Sequence, residues 1–180
     1  MTLAEMKKKT LRLIEEINED SEYLTDDPDI SAKINDVINQ IQFELARIKK
    51  IPAKKVVTIT SDNTVYTMAD DMYQVFKVTG SDTFDIIGKE IIFPDDFEGD
   101  VIIYYYKYPV RITDSTADDT YTFELSDDAL EIMPYGVAGD LLKSDVSNSY
   151  GNIYSQRYEI MKQQLDSRYN MGFIEIGVGI

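Results

Sequence analysis

The hydrophobic period of this chain changes twice, from helical spacing to strand alternation and back again, and that constrains its architecture before any single motif does. Ile30, Ile34, Val37, Ile38, Ile41, Leu45 and Ile48 form the cleanest stripe, recurring at steps of three and four. Asp26-Asp27-Pro28-Asp29 opens it. Asp27 suits the N-cap, Pro28 the first helical position, and the acids favour the positive end of the helix dipole. Pro52 is expected to end this helix. Upstream, Thr2 and Glu5 fit a capping box, and Leu3, Met6, Thr10, Leu13, Ile14 and Ile17 share one face. That predicts a helix over 2–18, with Lys8, Arg12, Glu15 and Glu19 on the opposite side.

From residue 53 the pattern changes to β-branched and aromatic runs broken by turn residues. Strands are expected over 55–60, 74–79, 83–87, 90–93, 100–108 and 121–124, with a short helical turn at 69–72. Val101, Ile102, Ile103, Tyr104, Tyr105 and Tyr106 make a strand apolar on both faces. Such a strand is either central and covered on two sides or completed by a partner.

Helical spacing returns at Ser126, an expected N-cap followed by Asp127 and Asp128. Leu130, Met133, Val137, Ala138, Leu141 and Leu142 form its stripe. Pro134 predicts a kink or break near Met133, and Gly136 and Gly139 permit close approach of another backbone. A last helix is expected over 150–167, with Ile153, Tyr154, Tyr158, Met161 and Leu165 facing one way. The expected fold is therefore α+β: a four-helix bundle of two N-terminal and two C-terminal helices, 1–52 and 126–170, interrupted by an acidic β-rich insertion, 53–125. An apolar, glycine-rich tail, 171–180, follows.

Several chemistries are excluded by composition. The chain has no histidine and no cysteine, which removes the usual nucleophilic triads, thiol catalysis and zinc ribbons. Gly80 and Gly88-Lys89 have the wrong spacing for a phosphate-binding loop, and Asp119 stands where a calcium loop starting at Asp114 needs glycine. Carboxylate chemistry stays open: Asp95, Asp96, Glu98 and Asp100 are dense enough to hold calcium or magnesium, or to be a solvated turn. Tyr104, Tyr105, Tyr106 and Tyr108 suit a core strand, or a stacking platform of alternate rings. No cofactor, metal site or catalytic group is expected, and the chain reads as a non-enzyme. Neither a secretory signal nor a membrane span is expected, which points to the cytoplasm or a particle built there.

Net charge is −15, and it is concentrated. Residues 56–128 hold 16 acids against 4 bases, whereas 1–55 hold 11 acids and 10 bases. The excess gives a solvated acidic surface, or a surface past which DNA slides without adhering. Against this field Arg47, Lys49, Lys50, Lys54 and Lys55 cluster near the C-terminus of the second helix. There they complement its dipole or contact a partner or phosphate.

Two blocks carry a family resemblance. One runs from Leu3-Ala-Glu-Met-Lys-Lys-Lys through Asp26-Asp-Pro-Asp-Ile-Ser-Ala-Lys-Ile-Asn-Asp-Val-Ile-Asn-Gln to Arg47-Ile-Lys-Lys-Ile-Pro. The other is Ser126-Asp-Asp-Ala-Leu-Glu-Ile-Met-Pro-Tyr-Gly-Val-Ala-Gly-Asp-Leu-Leu, followed by Tyr154-Ser-Gln-Arg-Tyr-Glu-Ile-Met-Lys-Gln-Gln-Leu. Together they resemble the head–tail connector (adaptor, or neck) proteins of tailed bacteriophages, especially those of Gram-positive hosts. The β-rich segment departs from the simplest members, which are nearly all helical, and resembles that of longer neck proteins.

The resemblance implies a structural virion protein of the neck, assembled in the bacterial cytoplasm. It implies a homo-oligomeric ring of about twelve copies beneath the portal protein, joined to a tail or tail-completion protein and lining the DNA channel. Phe173, Ile174, Ile176, Val178 and Ile180 are expected to add to a neighbour as a strand or in a groove. The alternative reading is a small β-domain binding module, for carbohydrate or protein, on a helical stalk. A third is a hydrolase using metal at Asp95–Asp100.

Overall fold

The structure, a computed structural model, describes residues 1–18, 24–144 and 149–167. The chain divides into two units: Met1–Lys49 together with the chain from Arg111 on, and Lys50–Val110.

In the first unit, α1 (Leu3–Leu13) opens on the expected capping box: Thr2 Oγ1 accepts the Glu5 N–H at 3.2 Å and Glu5 accepts the Thr2 N–H at 2.8 Å. It stops short of the predicted residue 18, because Glu15 turns the chain with φ at 61°. In α2 (Pro28–Ile48), Asp27 caps the N–H groups of Asp29 and Ile30 at 2.8 and 3.2 Å. α3 (Asp127–Leu141) is one continuous helix with Pro134 inside it, so of the expected kink or break there is no break, and Ser126 makes no side-chain cap. A 3-10 turn, Leu142–Ser144, follows it, and α4 spans Tyr150–Ser167.

The expectation of an α+β fold built on a four-helix bundle is overturned. α1, α2 and α4 pack chiefly on α3 rather than around a shared axis, and the chain adds two three-stranded antiparallel sheets. The cause lies in α3 itself. A bundle helix buries one stripe, but α3 buries Ala129, Leu130, Ile132, Met133, Gly136 and Gly139 among others, on most sides. Its glycines admit the neighbours: a Cβ on Gly139 would stand 2.5 Å from Ser155 Oγ, and one on Gly136 3.0 Å from the Tyr158 ring.

Residues 111–125, assigned to the insertion on sequence, lie in this helical unit. The predicted strand over 121–124 is reduced to a single bridge between Thr2 and Thr122. The segment is tied down by main-chain bonds from Leu3 to Tyr121 and from Ala4 to Asp118, at 3.0 and 3.1 Å. A buried amide holds it from the other side. Asn39 donates to the Ile112 carbonyl at 2.7 Å and accepts the Ile112 N–H at 2.8 Å. Gln42 donates to Asn39, and the Tyr121 hydroxyl donates to Gln42.

The second unit contains β1 (Ile51–Ile59), β2 (Val65–Thr67), β3 (Met72–Thr79), β4 (Asp85–Ile87), β5 (Glu90–Ile92) and β6 (Gly99–Lys107). The larger sheet has the order β1-β6-β3 and the smaller β2-β5-β4. β1 begins earlier than predicted and includes Pro52, which an edge strand tolerates because one side of its backbone is unpaired. The strand β2 has no counterpart in the sequence reading, and the predicted helical turn at 69–72 is a tight turn closed by Met72 N–H to Ala69 O. The two sheets share one core of Ile59, Val101, Ile103 and Tyr105 with Ile91 and Phe93. Gly80 (φ 99°) passes so close to β6 that a Cβ would lie 2.4 Å from the Asp100 carbonyl oxygen.

Candidate interaction surfaces

Alternation along β6 sends Val101, Ile103 and Tyr105 into the core and leaves Tyr104 and Tyr106 on the outer face of the larger sheet. Opposite them, the register of β3 slips between Met72 and Gln74 and again between Val75 and Lys77. The extra residues at these two bulges are Tyr73 and Phe76. A bulge re-aims the side chain it adds, and both rings land on Tyr106, Phe76 at 4.5 Å and Tyr73 at 6.3 Å between centroids. Tyr108 extends the row, 4.8 Å from Tyr73.

Cations sit over this row. The Lys50 ammonium is 4.7 Å from the Tyr106 centroid and also donates to Gln74, and Lys77 is 6.0 Å from Tyr104. Lys54 pairs in register with Tyr104 and so points to the same side. Burial raises the Tyr73 hydroxyl above the usual tyrosine range, with Tyr106 and Tyr108 adding to it. Tyr73, Tyr104, Tyr106 and Tyr108 are all half-buried in this row.

The smaller sheet presents a different outer face. Tyr66, Ile91 and Ile86 lie in one register row, and Ile91 is fully buried in the core. The flanking rows, Val65-Ile92-Asp85 and Thr67-Glu90-Ile87, point the other way. That face is aliphatic and acidic, and Ile87 is 63% exposed on it.

A third surface lies on α4. Gly151, Tyr158 and Leu165, seven residues apart, are buried. Tyr150, Ile153 and Ile160 are 62%, 54% and 59% exposed. Ile153, predicted on the buried stripe, stands on the outer face instead. The Tyr158 hydroxyl is pushed up strongly by burial and by the Glu44 carboxylate nearby. Lys162 pairs with both Glu44 and Glu159; burial opposes its charge, and the two carboxylates outweigh that and raise it.

The predicted basic cluster divides between the two units. Arg47 is exposed near the end of α2. Lys49 is buried and paired with Asp128 at 3.0 Å, so it is a structural cation. Burial raises Asp128, but hydrogen bonds from Ser126 and Lys49 more than offset it and hold the carboxyl below its usual range. Lys50 and Lys54 belong to the aromatic face, and Lys55 lies 5.7 Å from the Tyr66 ring.

The carboxylates at 95–100 do not converge. Glu98 accepts the Ser61 N–H and Asp100 accepts the Thr58 hydroxyl, and no group of three or more acids among the described residues is placed to hold a metal ion. The tail residues Phe173, Ile174, Ile176, Val178 and Ile180 lie outside the described residues. Among the described residues no helix is long and apolar enough to cross a membrane.

Phe76, Lys77 and the outer face of α4 were not identified from sequence. Tyr150, Ile153 and Ile160 do recur at helical steps, a second stripe masked by the first. A scan against protein-family models finds no match, and a search of curated proteins finds none either.

Proposed function

We propose that this chain is a structural assembly subunit, the head–tail connector of a tailed bacteriophage, forming a ring beneath the portal in the virion neck. The observation that carries the reading is α4, which is apolar on two faces. One face buries Tyr158 and Leu165, while Tyr150, Ile153 and Ile160 remain exposed on the other. Exposed aromatic and aliphatic side chains at helical spacing on a chain of net charge −15 suit a surface that a neighbour covers. The resemblance of the terminal blocks supplies the kind of neighbour: further copies, the portal and a tail protein. The acidic excess at 56–128 then keeps DNA phosphates from adhering as the genome passes.

Light scattering over a concentration series, alone and with portal protein, tests this. The expected result is a closed ring, free or on the portal. A strict monomer that ignores the portal would overturn it.

The aromatic face favours a second reading, a β-domain that binds a glycan on Tyr104 and Tyr106. Binding on a glycan array, lost on Tyr106→Ala, would support it. Against it, Phe76 and Lys50 already lie against the Tyr106 ring and Lys77 stands near Tyr104, which leaves less ring surface for a sugar.

A further inference from the structure

The unit Lys50–Val110 carries ten acids and six bases, and those standing in the outward-facing strand rows differ in predominant sign between its two sheets. Lys50, Lys54 and Lys77 stand with the aromatic row on the outer face of the larger sheet. The acid on that side, Asp100, lies at the end of the strand and accepts the Thr58 hydroxyl. On the outer face of the smaller sheet, Asp85 and Glu90 stand among Val65, Ile87 and Ile92. One molecule thus presents an apolar cationic face and an apolar anionic face on the two outer surfaces of a single two-sheet core.

We propose that these two faces are the halves of one head-to-tail contact, the larger sheet of one copy docking on the smaller sheet of the next. The occupant is a second copy because the complement is present on the same unit, in both charge and apolar character. Opposed patches on one molecule generate heterologous contacts, which close into a ring or continue as a filament. The cation–π arrangement fits a protein partner. Lys50 lies against the Tyr106 ring and Lys77 stands near Tyr104, which leaves less ring surface for a base or sugar, while their ammonium groups offer charge to a carboxylate. This inference rests on the assembly reading and names the surfaces that would carry it.

Charge reversal tests it in the full chain. Lys54→Glu with Lys77→Glu gives a copy with two anionic faces, and Asp85→Lys with Glu90→Lys gives one with two cationic faces. Each variant alone is expected to associate about tenfold more weakly or worse than the parent, since like charges meet. An equal mixture is expected to recover assembly, because every contact in an alternating array again pairs opposite signs. All four positions are exposed strand residues, and an unchanged melting curve for each variant checks that it is folded. Association of the parent should also weaken as salt is raised.

Variants that assemble like the parent, or a mixture that fails to recover, would overturn the contact while leaving a connector that assembles elsewhere. Loss of portal binding with self-association intact would overturn it too, and would assign the face to the portal. A parent that stays monomeric even with portal present would remove the assembly reading along with the contact.

Discussion

At the scale of single residues, the most consequential side chain of the helical unit is a polar one on an apolar helix. Asn39 is buried and satisfies both main-chain groups of Ile112, and it is itself held by Gln42. The stripe of isoleucines on α2 was legible because apolar residues announce burial. Asn39 and Gln42 were not, since an amide in a helix reads as solvent-facing until the segment it clamps is known. Asn39→Ala should destabilise the protein by about 2–3 kcal/mol, because it strands a buried N–H and carbonyl; urea unfolding would measure it. Tyr158 gives the molecule an alkaline limit. Its hydroxyl is raised in the fold, so it ionises first in the unfolded chain. The unfolded state then holds fewer protons, and stability present below about pH 10 is lost as pH rises further. Tyr73, Tyr105 and Tyr121 are raised as well, in each case mainly by burial, and act in the same direction. Urea midpoints taken from about pH 9 to pH 11 should fall, and Tyr158→Phe should make that fall shallower.

At the scale of elements, the helix caps and turns were readable and the packing partners were not. Thr2 with Glu5 and Asp27 with Pro28 act locally, so the sequence specifies them without reference to the rest of the chain. In α3 the close approach expected at Gly136 and Gly139 is present, but the single conspicuous stripe does not show that Ala129 and Ile132, outside it, are buried as well. In α4 the expected stripe holds at Tyr158 and Leu165 but not at Ile153, which belongs with Tyr150 and Ile160 on the outer face. That difference can be tested within the helix. Ile153→Glu with Ile160→Glu should leave the urea midpoint nearly unchanged, because both side chains already face water, and should weaken assembly measured by light scattering. Leu165→Ala, on the buried face, should instead cost about 2–4 kcal/mol of stability. If the outer-face pair lowered stability as much as Leu165→Ala does, the two-faced description of α4 would fail.

At the scale of the whole chain, the change of hydrophobic period falls close to where the β-rich unit begins, and nothing in the sequence marks where that unit ends. Residues 111–125 carry turn-forming and β-prone residues like those before them. What assigns them to the helical unit is a set of long-range bonds to Met1, Leu3, Ala4 and Asn39. The β unit is closed at its base by its own strands: Ile51 pairs with Lys107, so the chain enters and leaves side by side. A segment tied off in this way, with a core drawn from both of its sheets, meets the requirements for folding alone. Its small size argues for a modest margin, a few kcal/mol at most. A fragment of residues 50–110 should therefore show a β-type circular dichroism spectrum and a cooperative urea transition. The complementary deletion, joining residue 49 to residue 111 through a short glycine linker, should keep the helical signal, because the Asn39–Ile112 clamp and the Lys49–Asp128 pair both lie within the helical unit. A fragment without a cooperative transition would mean that the β unit depends on the helices for its fold. In that case the charge-sorted faces could not be treated as properties of an independent module.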